Sequence, residues 1–151
     1  MIGLKFVSDE VNHDYFFSEA LKLAEKASHE NEVPIGAVIV KDQKIIASAY
    51  NQTEKNGSFT AHAELLCLQE AAVFLKTKHL KDCDLYITLE PCLMCLTAAR
   101  LSRINAIYYL VASEKFGSEG VAYPTVTSQQ LPSSLTDETK LLLRRFFENR
   151  R

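Results

Sequence analysis

Two short stretches hold residue types able to grip a metal ion and move a proton: His62-Ala63-Glu64 and Pro91-Cys92-Leu93-Met94-Cys95. Cysteines three apart on a helix share a face, so two thiolates there can bind one small ion. In a helix's first turn the unpaired N–H groups and the macrodipole favour thiolate over thiol. His62 would add a third ligand from a different element. One imidazole and two thiolates suit zinc. A structural zinc site closes with four protein ligands, whereas a catalytic one keeps a position for water. The sequence offers three well-placed ligands, His62, Cys92 and Cys95, and no evident fourth. Glu64, two residues from His62, cannot readily share the ion but can reach water beside it. Zinc lowers the pKa of such water to about 7, and a nearby carboxylate can take its proton. The chemistry spelled out is hydrolysis with one Zn2+ per chain and Glu64 as proton carrier.

Each part has a plainer meaning alone. His62 could be a polar helix end, Glu64 a solvated charge, and Cys92 with Cys95 a redox pair. The joint pattern is far rarer than its parts. Cys67 lies more than a helical turn beyond His62 and, with Cys83, is expected to be a small buried apolar residue.

The elements that must position these residues follow from periodicity. Phe16, Phe17, Ala20, Leu23, Ala24 and Ala27 recur at helical spacing and predict a helix over residues 14–30, stopped by Pro34. Residues 36–40 and 45–50 read as two strands of a hairpin around a polar turn at 41–44. Asn56-Gly57 marks a turn. Thr60 is expected to cap a helix over residues 61–75, buried through Leu65, Leu66, Leu68, Ala72 and Phe74. Residues 85–89 make a third strand, and Pro91 is placed as first residue of a buried helix ending near residue 102. Residues 106–111, continuously apolar, predict a central fourth strand. Residues 117–134 read as mostly loop, with a short fifth strand at 125–127. Ser134 and Asp137 resemble a capping box opening a last helix with Leu141, Leu142 and Phe146 on its apolar face. Strands alternating with helices make the class α/β, with an antiparallel pair at one side of a mixed sheet.

The 151 residues amount to one domain, residues 1–151. A chain of that size buries roughly 70% of its unfolded surface and needs neither disulfide nor metal merely to fold. A net charge of −2 gives no support to broad nucleic-acid binding through the whole-protein field. Residues 1–10 carry no signal-peptide core, and no apolar run is long enough to span a bilayer, which predicts a cytoplasmic protein.

The order His-x-Glu then Pro-Cys-x-x-Cys is the signature of the zinc nucleobase deaminases. The chain resembles the bacterial tRNA adenosine deaminase family of the cytidine-deaminase-like superfamily. The likeness rests on residues 32–38 (Glu-Val-Pro-Ile-Gly-Ala-Val), on residues 60–64 and 85–95 around the two motifs, on Arg103-Ile104, and on the aromatic and basic tail at 144–151. It implies a three-layer α/β/α sandwich with a mixed five-stranded sheet, a homodimer, and conversion of adenosine to inosine at the wobble position in a tRNA anticodon loop. It also implies a base pocket lined by Asn51 and the backbone at Ala63. Glu64 then moves a proton from water to ring N1 and on to the departing amino group. The chain departs from the family at Ser58-Phe59, Leu96-Thr97 and Ala112-Ser113-Glu114-Lys115. Two other functions compete: a free-base deaminase acting on cytosine or guanine, which Leu96 fits, and a non-catalytic zinc-stabilised RNA-binding domain.

Overall fold

Alternation along the inner strands sorts the core into two halves. A computed structural model describes residues 11–113 and 126–150. Its elements, in chain order, are α1 (His13–His29), β1 (Gly36–Lys41), β2 (Lys44–Tyr50), α2 (Thr53–Asn56) and α3 (Ala63–Leu75). They continue with β3 (Cys83–Leu89), α4 (Leu93–Leu101), β4 (Ala106–Val111), β5 (Thr127–Gln130) and α5 (Thr136–Glu148). Ala37 and Ile39 of β1 and Leu85 and Ile87 of β3 face α3 and α4. Val38, Val40 and Tyr86 face Phe16 and Phe17 of α1 and Leu143 of α5. A strand points successive side chains to opposite faces, so one sheet serves both halves. The result is the expected three-layer α/β/α sandwich.

The five strands lie in the order β2-β1-β3-β4-β5. β1 pairs antiparallel with β2 and β3, while β4 pairs parallel with β3 and β5. The sheet is therefore mixed, with the antiparallel hairpin at one edge. Asp42 and Gln43 take the hairpin turn at φ 51° and 62°, the left-handed pair whose twist matches the flanking strands. β3 is the middle strand and β4 its neighbour. α1 lies so near β1 that a Cβ on Gly36 would collide with the backbone of Ala20 and Ala24. Only glycine permits that approach.

Several sequence expectations shift. Thr60 does not cap α3; His62 is the N-cap, two residues later. Pro91 precedes α4 rather than opening it, because Cys92 is the N-cap. Ser134 and Asp137 form no capping box: Leu135 occupies the N-cap of α5, and Ser133 Oγ accepts from its N–H instead. Phe74 and Leu141 are exposed, while Leu21 and Leu143 pack inward. The fifth strand begins at Thr127, later than expected. Residues 117–125 of the expected loop, Glu114, Lys115, Arg151 and residues 1–10 lie outside the described residues. Among the described residues no helix is long and apolar enough to cross a membrane.

Candidate active site

His62 and Cys92 hold equivalent places at the starts of two helices. Their backbones are extended, at φ −74°, ψ 148° and φ −73°, ψ 171°, and neither side chain caps its own helix. Both turn to a common point. His62 Nδ1 lies 3.7 Å from Cys92 Sγ and 3.4 Å from Cys95 Sγ. Ligands about 2.0–2.3 Å from one tetrahedral ion stand roughly 3.3–3.8 Å apart. The three donors therefore have the spacing of a zinc ligand set, drawn from the first turns of α3 and α4. Cys67 and Cys83 stand elsewhere, their thiols directed at the carbonyls of Ala37 and Lys81.

The electrostatics agree with the spacing. The Cys92 thiol is drawn down to about 4, chiefly by the hydrogen bond from Cys95 and further by His62, against its burial. The Cys95 thiol is pushed up by the same bond and by burial. The two thiols thus share one proton, and a cation between them would release it. The hydrogen bond to Cys92 raises the His62 imidazole, burial opposing.

Glu64 is the unusual group. It sits in the first turn of α3, and its side chain is 3% exposed. Burial pushes its carboxyl up to about 7, partly offset by its own backbone N–H and by His62. It interacts with the Cys95 thiol, yet Oε1 is buried with no hydrogen-bond partner. Such an atom costs about 1–3 kcal/mol unless something meets it. A water held beside the three ligands would meet it.

Asn51 is also buried, at the end of β2, with its N–H bonded to Ile35 and its Nδ2 facing Thr53 Oγ1 at 3.4 Å. Ala63 is fully buried as first residue of α3, where a helix leaves the N–H unbonded. Tail residues Phe146, Phe147 and Arg150 line a groove with Asn31, Thr53 and Glu54, and Arg150 stacks 3.9 Å over the Phe146 ring. That groove adjoins Asn51 through Thr53. Of the departures, Phe59 is exposed, Leu96 is core, and the Ser113 N–H donates to Glu90 Oε1 at 3.0 Å.

Periodicity gave no sign of Glu32 or Glu90, two buried carboxylates that brace the loops around the site. An acidic residue beside Pro34 or Pro91 reads in sequence as a loop charge. Their one signal in the sequence is their place in the stretches 32–38 and 85–95 that carry the family likeness.

The model of the cytidine and deoxycytidylate deaminase zinc-binding region matches residues 10–111. A tRNA-specific adenosine deaminase of Aquifex aeolicus is 46% identical over 104 residues, 69% of each chain. A structure solved in work on A-to-I editing by tRNA:A34 deaminases at the wobble position superposes with a TM-score of 0.78 at 33% identity. It covers 85% of this chain and 99% of that one. Guanine deaminase from Bacillus subtilis superposes with a TM-score of 0.66 at 30% identity, covering 89% and 95%. The chain belongs to the zinc-binding cytidine and deoxycytidylate deaminase family.

Proposed function

We propose that this protein deaminates adenosine to inosine at the wobble position of tRNA, as a single hydrolytic domain. His62, Cys92 and Cys95 hold one Zn2+, and Glu64 carries protons. The observation that carries this reading is Glu64: a buried carboxylate with a partnerless oxygen beside three ligand atoms of zinc spacing. When bound, zinc supplies the Lewis acidity that readies water for attack.

The chain's own residues do the rest. Glu64 Oε1 takes a proton from water and gives it to ring N1 as the water oxygen bonds to C6; it then carries that oxygen's second proton to the amino nitrogen, and ammonia leaves as the C6–N bond breaks. Burial strengthens the carboxyl's hold on a proton, which suits a group that must both take and give one. Asn51 and the Ala63 N–H hold the base edge. The groove of Phe147 and Arg150 offers an aromatic face and a cation, which suit a neighbouring base and phosphate. The Aquifex relative and the tRNA:A34 structure support the tRNA substrate. A cytoplasmic location goes with that substrate. A homodimer is supported by Val73, Phe74, Leu93 and Leu101, apolar and exposed on the two helices that carry the site.

The similarity to guanine deaminase favours one second reading, a free-base deaminase. Ammonia release from an adenosine-wobble anticodon stem-loop, cytosine and guanine, assayed in parallel, separates the two. Turnover of the stem-loop is expected. Turnover of a free base with none on the stem-loop would overturn the tRNA reading. A non-catalytic RNA-binding domain would have no use for a carboxylate buried as Glu64 is.

A further inference from the structure

Glu32 is an acidic side chain with no exposed surface, outside the ligand set and the base pocket. After α1 the chain turns at Asn31, with φ 62°, and the Glu32 N–H bonds back to the Ala27 carbonyl at 2.9 Å. That turn aims the carboxylate beneath α2. Glu32 Oε1 accepts the Glu54 N–H at 3.0 Å, and Oε2 accepts the Lys55 N–H at 2.7 Å.

These two donors belong to a helix of four residues, α2. A single turn fixes its backbone for little hydrogen bonding of its own and does not stand alone. Charge-assisted bonds from a buried carboxylate are the strong kind. Two further contacts leave α2 toward the site. Thr53 Oγ1 accepts Asn51 Nδ2 at 3.4 Å. The Gln52 N–H donates to the Ala61 carbonyl at 3.0 Å, one residue before His62. Asn51, α2 and the approach to His62 form one strap, and Glu32 is its buried anchor.

We infer that Glu32 is a positioning residue for substrate: through α2 it sets the Asn51 amide and the segment entering His62. It touches neither base nor metal. The inference rests on the assignment of Asn51 to the base pocket.

The test is Glu32→Gln in the zinc-loaded protein, followed by amide hydrogen exchange and by kinetics. Glutamine keeps the shape but turns an NH2 toward a backbone N–H. Expected are faster exchange at Glu54, Lys55 and also Gln52, with zinc content unchanged. KM for the stem-loop rises about tenfold or more, from a lost charged hydrogen bond, while kcat stays within about threefold of wild type. Faster exchange confined to Glu54 and Lys55 with unchanged KM would overturn the inference. So would unchanged KM with lost zinc and falling kcat. If Glu32→Gln does not fold, Thr53→Val removes only the acceptor facing Asn51. A raised KM there supports the strap, and an unchanged KM overturns it. Wild-type inactivity on the stem-loop is instead a failure of the tRNA reading, and the exchange measurement then decides alone.

Discussion

Cys95 Sγ stands 3.4 Å from His62 Nδ1, although the two are 33 residues apart and start from different helices. Such an approach makes sense for atoms sharing an ion. Cys95→Ala is therefore expected to lose zinc, measured by elemental analysis, and with it all turnover. Cys67→Ala is the control. Its thiol is buried but bonded elsewhere. It should keep full zinc content and lose about 1 kcal/mol of stability in urea melts, as an ordinary core change does.

Glu64→Gln keeps shape and removes the titrating group. Zinc content and fold should persist, while kcat falls by roughly 10²–10⁴, the range for a lost general acid–base. Stopped assays at saturating substrate measure this. A kcat within threefold of wild type would remove the proton-carrier role.

The same variant isolates a pH effect in chelator-stripped protein. The folded carboxyl is raised from its ordinary value to about 7. A raised acid makes the folded state the better proton binder. Its stabilising share is full below the unfolded pKa and is lost as pH climbs through 7. The stability of wild type minus that of Glu64→Gln should thus fall by about 3 kcal/mol between pH 4.5 and 8. The difference also carries the interaction of Glu64 with His62 and with the Cys95 thiol, which the variant removes together with the carboxyl. A flat difference, from paired urea titrations, would show that the carboxyl is not held protonated.

Much of the fold was legible in the sequence, and so was the cluster of His62, Cys92 and Cys95 that the structure brings together. The β-branched residues at 36–40, the apolar run at 85–89 and the helical stripe from Phe16 to Ala27 are local signals, and the elements stand where they point. The ligand set was legible because its types are rare together. Helix starts were not. Thr60 and Pro91 are good capping and first-turn residues by propensity, yet His62 and Cys92 took the N-caps. Metal geometry needs side chains that leave the helix end, so capping chemistry gave way. The four-residue α2 was missed because Asn56-Gly57 reads as a turn. What holds it is Glu32, more than 20 residues upstream, through a long-range bond no window contains. Phe74 and Leu141 fit an apolar stripe yet stand exposed.

Asn51→Ala should raise KM about tenfold, the value of one amide hydrogen bond to a buried base edge. Zinc content should not change, because Asn51 bonds to Ile35 and Thr53 and to none of the ligands. Steady-state kinetics with metal analysis on the same preparation check both halves.

Phe147 is half exposed at the groove that adjoins Asn51. Phe147→Ala should leave the urea midpoint nearly unchanged, as surface substitutions do. Loss of a stacked base costs about 1–3 kcal/mol, so kcat/KM on the stem-loop should drop about fivefold or more. A free nucleobase has no flanking nucleotide to stack. If the enzyme turns one over, that rate should not respond to the change. Equal losses on both substrates would place Phe147 in the fold and not in RNA contact.

Val73 is 78% exposed and Leu101 71%, on the helices that open at His62 and Cys92. Apolar side chains left that open on two neighbouring helices suit a partner copy. Introducing a charge at Val73, as Val73→Glu, should shift the protein from dimer to monomer in sedimentation velocity at micromolar concentration. A charge buried in an apolar interface is not tolerated unpaired. Zinc content should hold, since Val73 lies at the far end of α3 from His62, about 16 Å away at 1.5 Å per residue. A wild-type chain that sediments as a monomer at every concentration would remove the dimer, and with it this account of the exposed face.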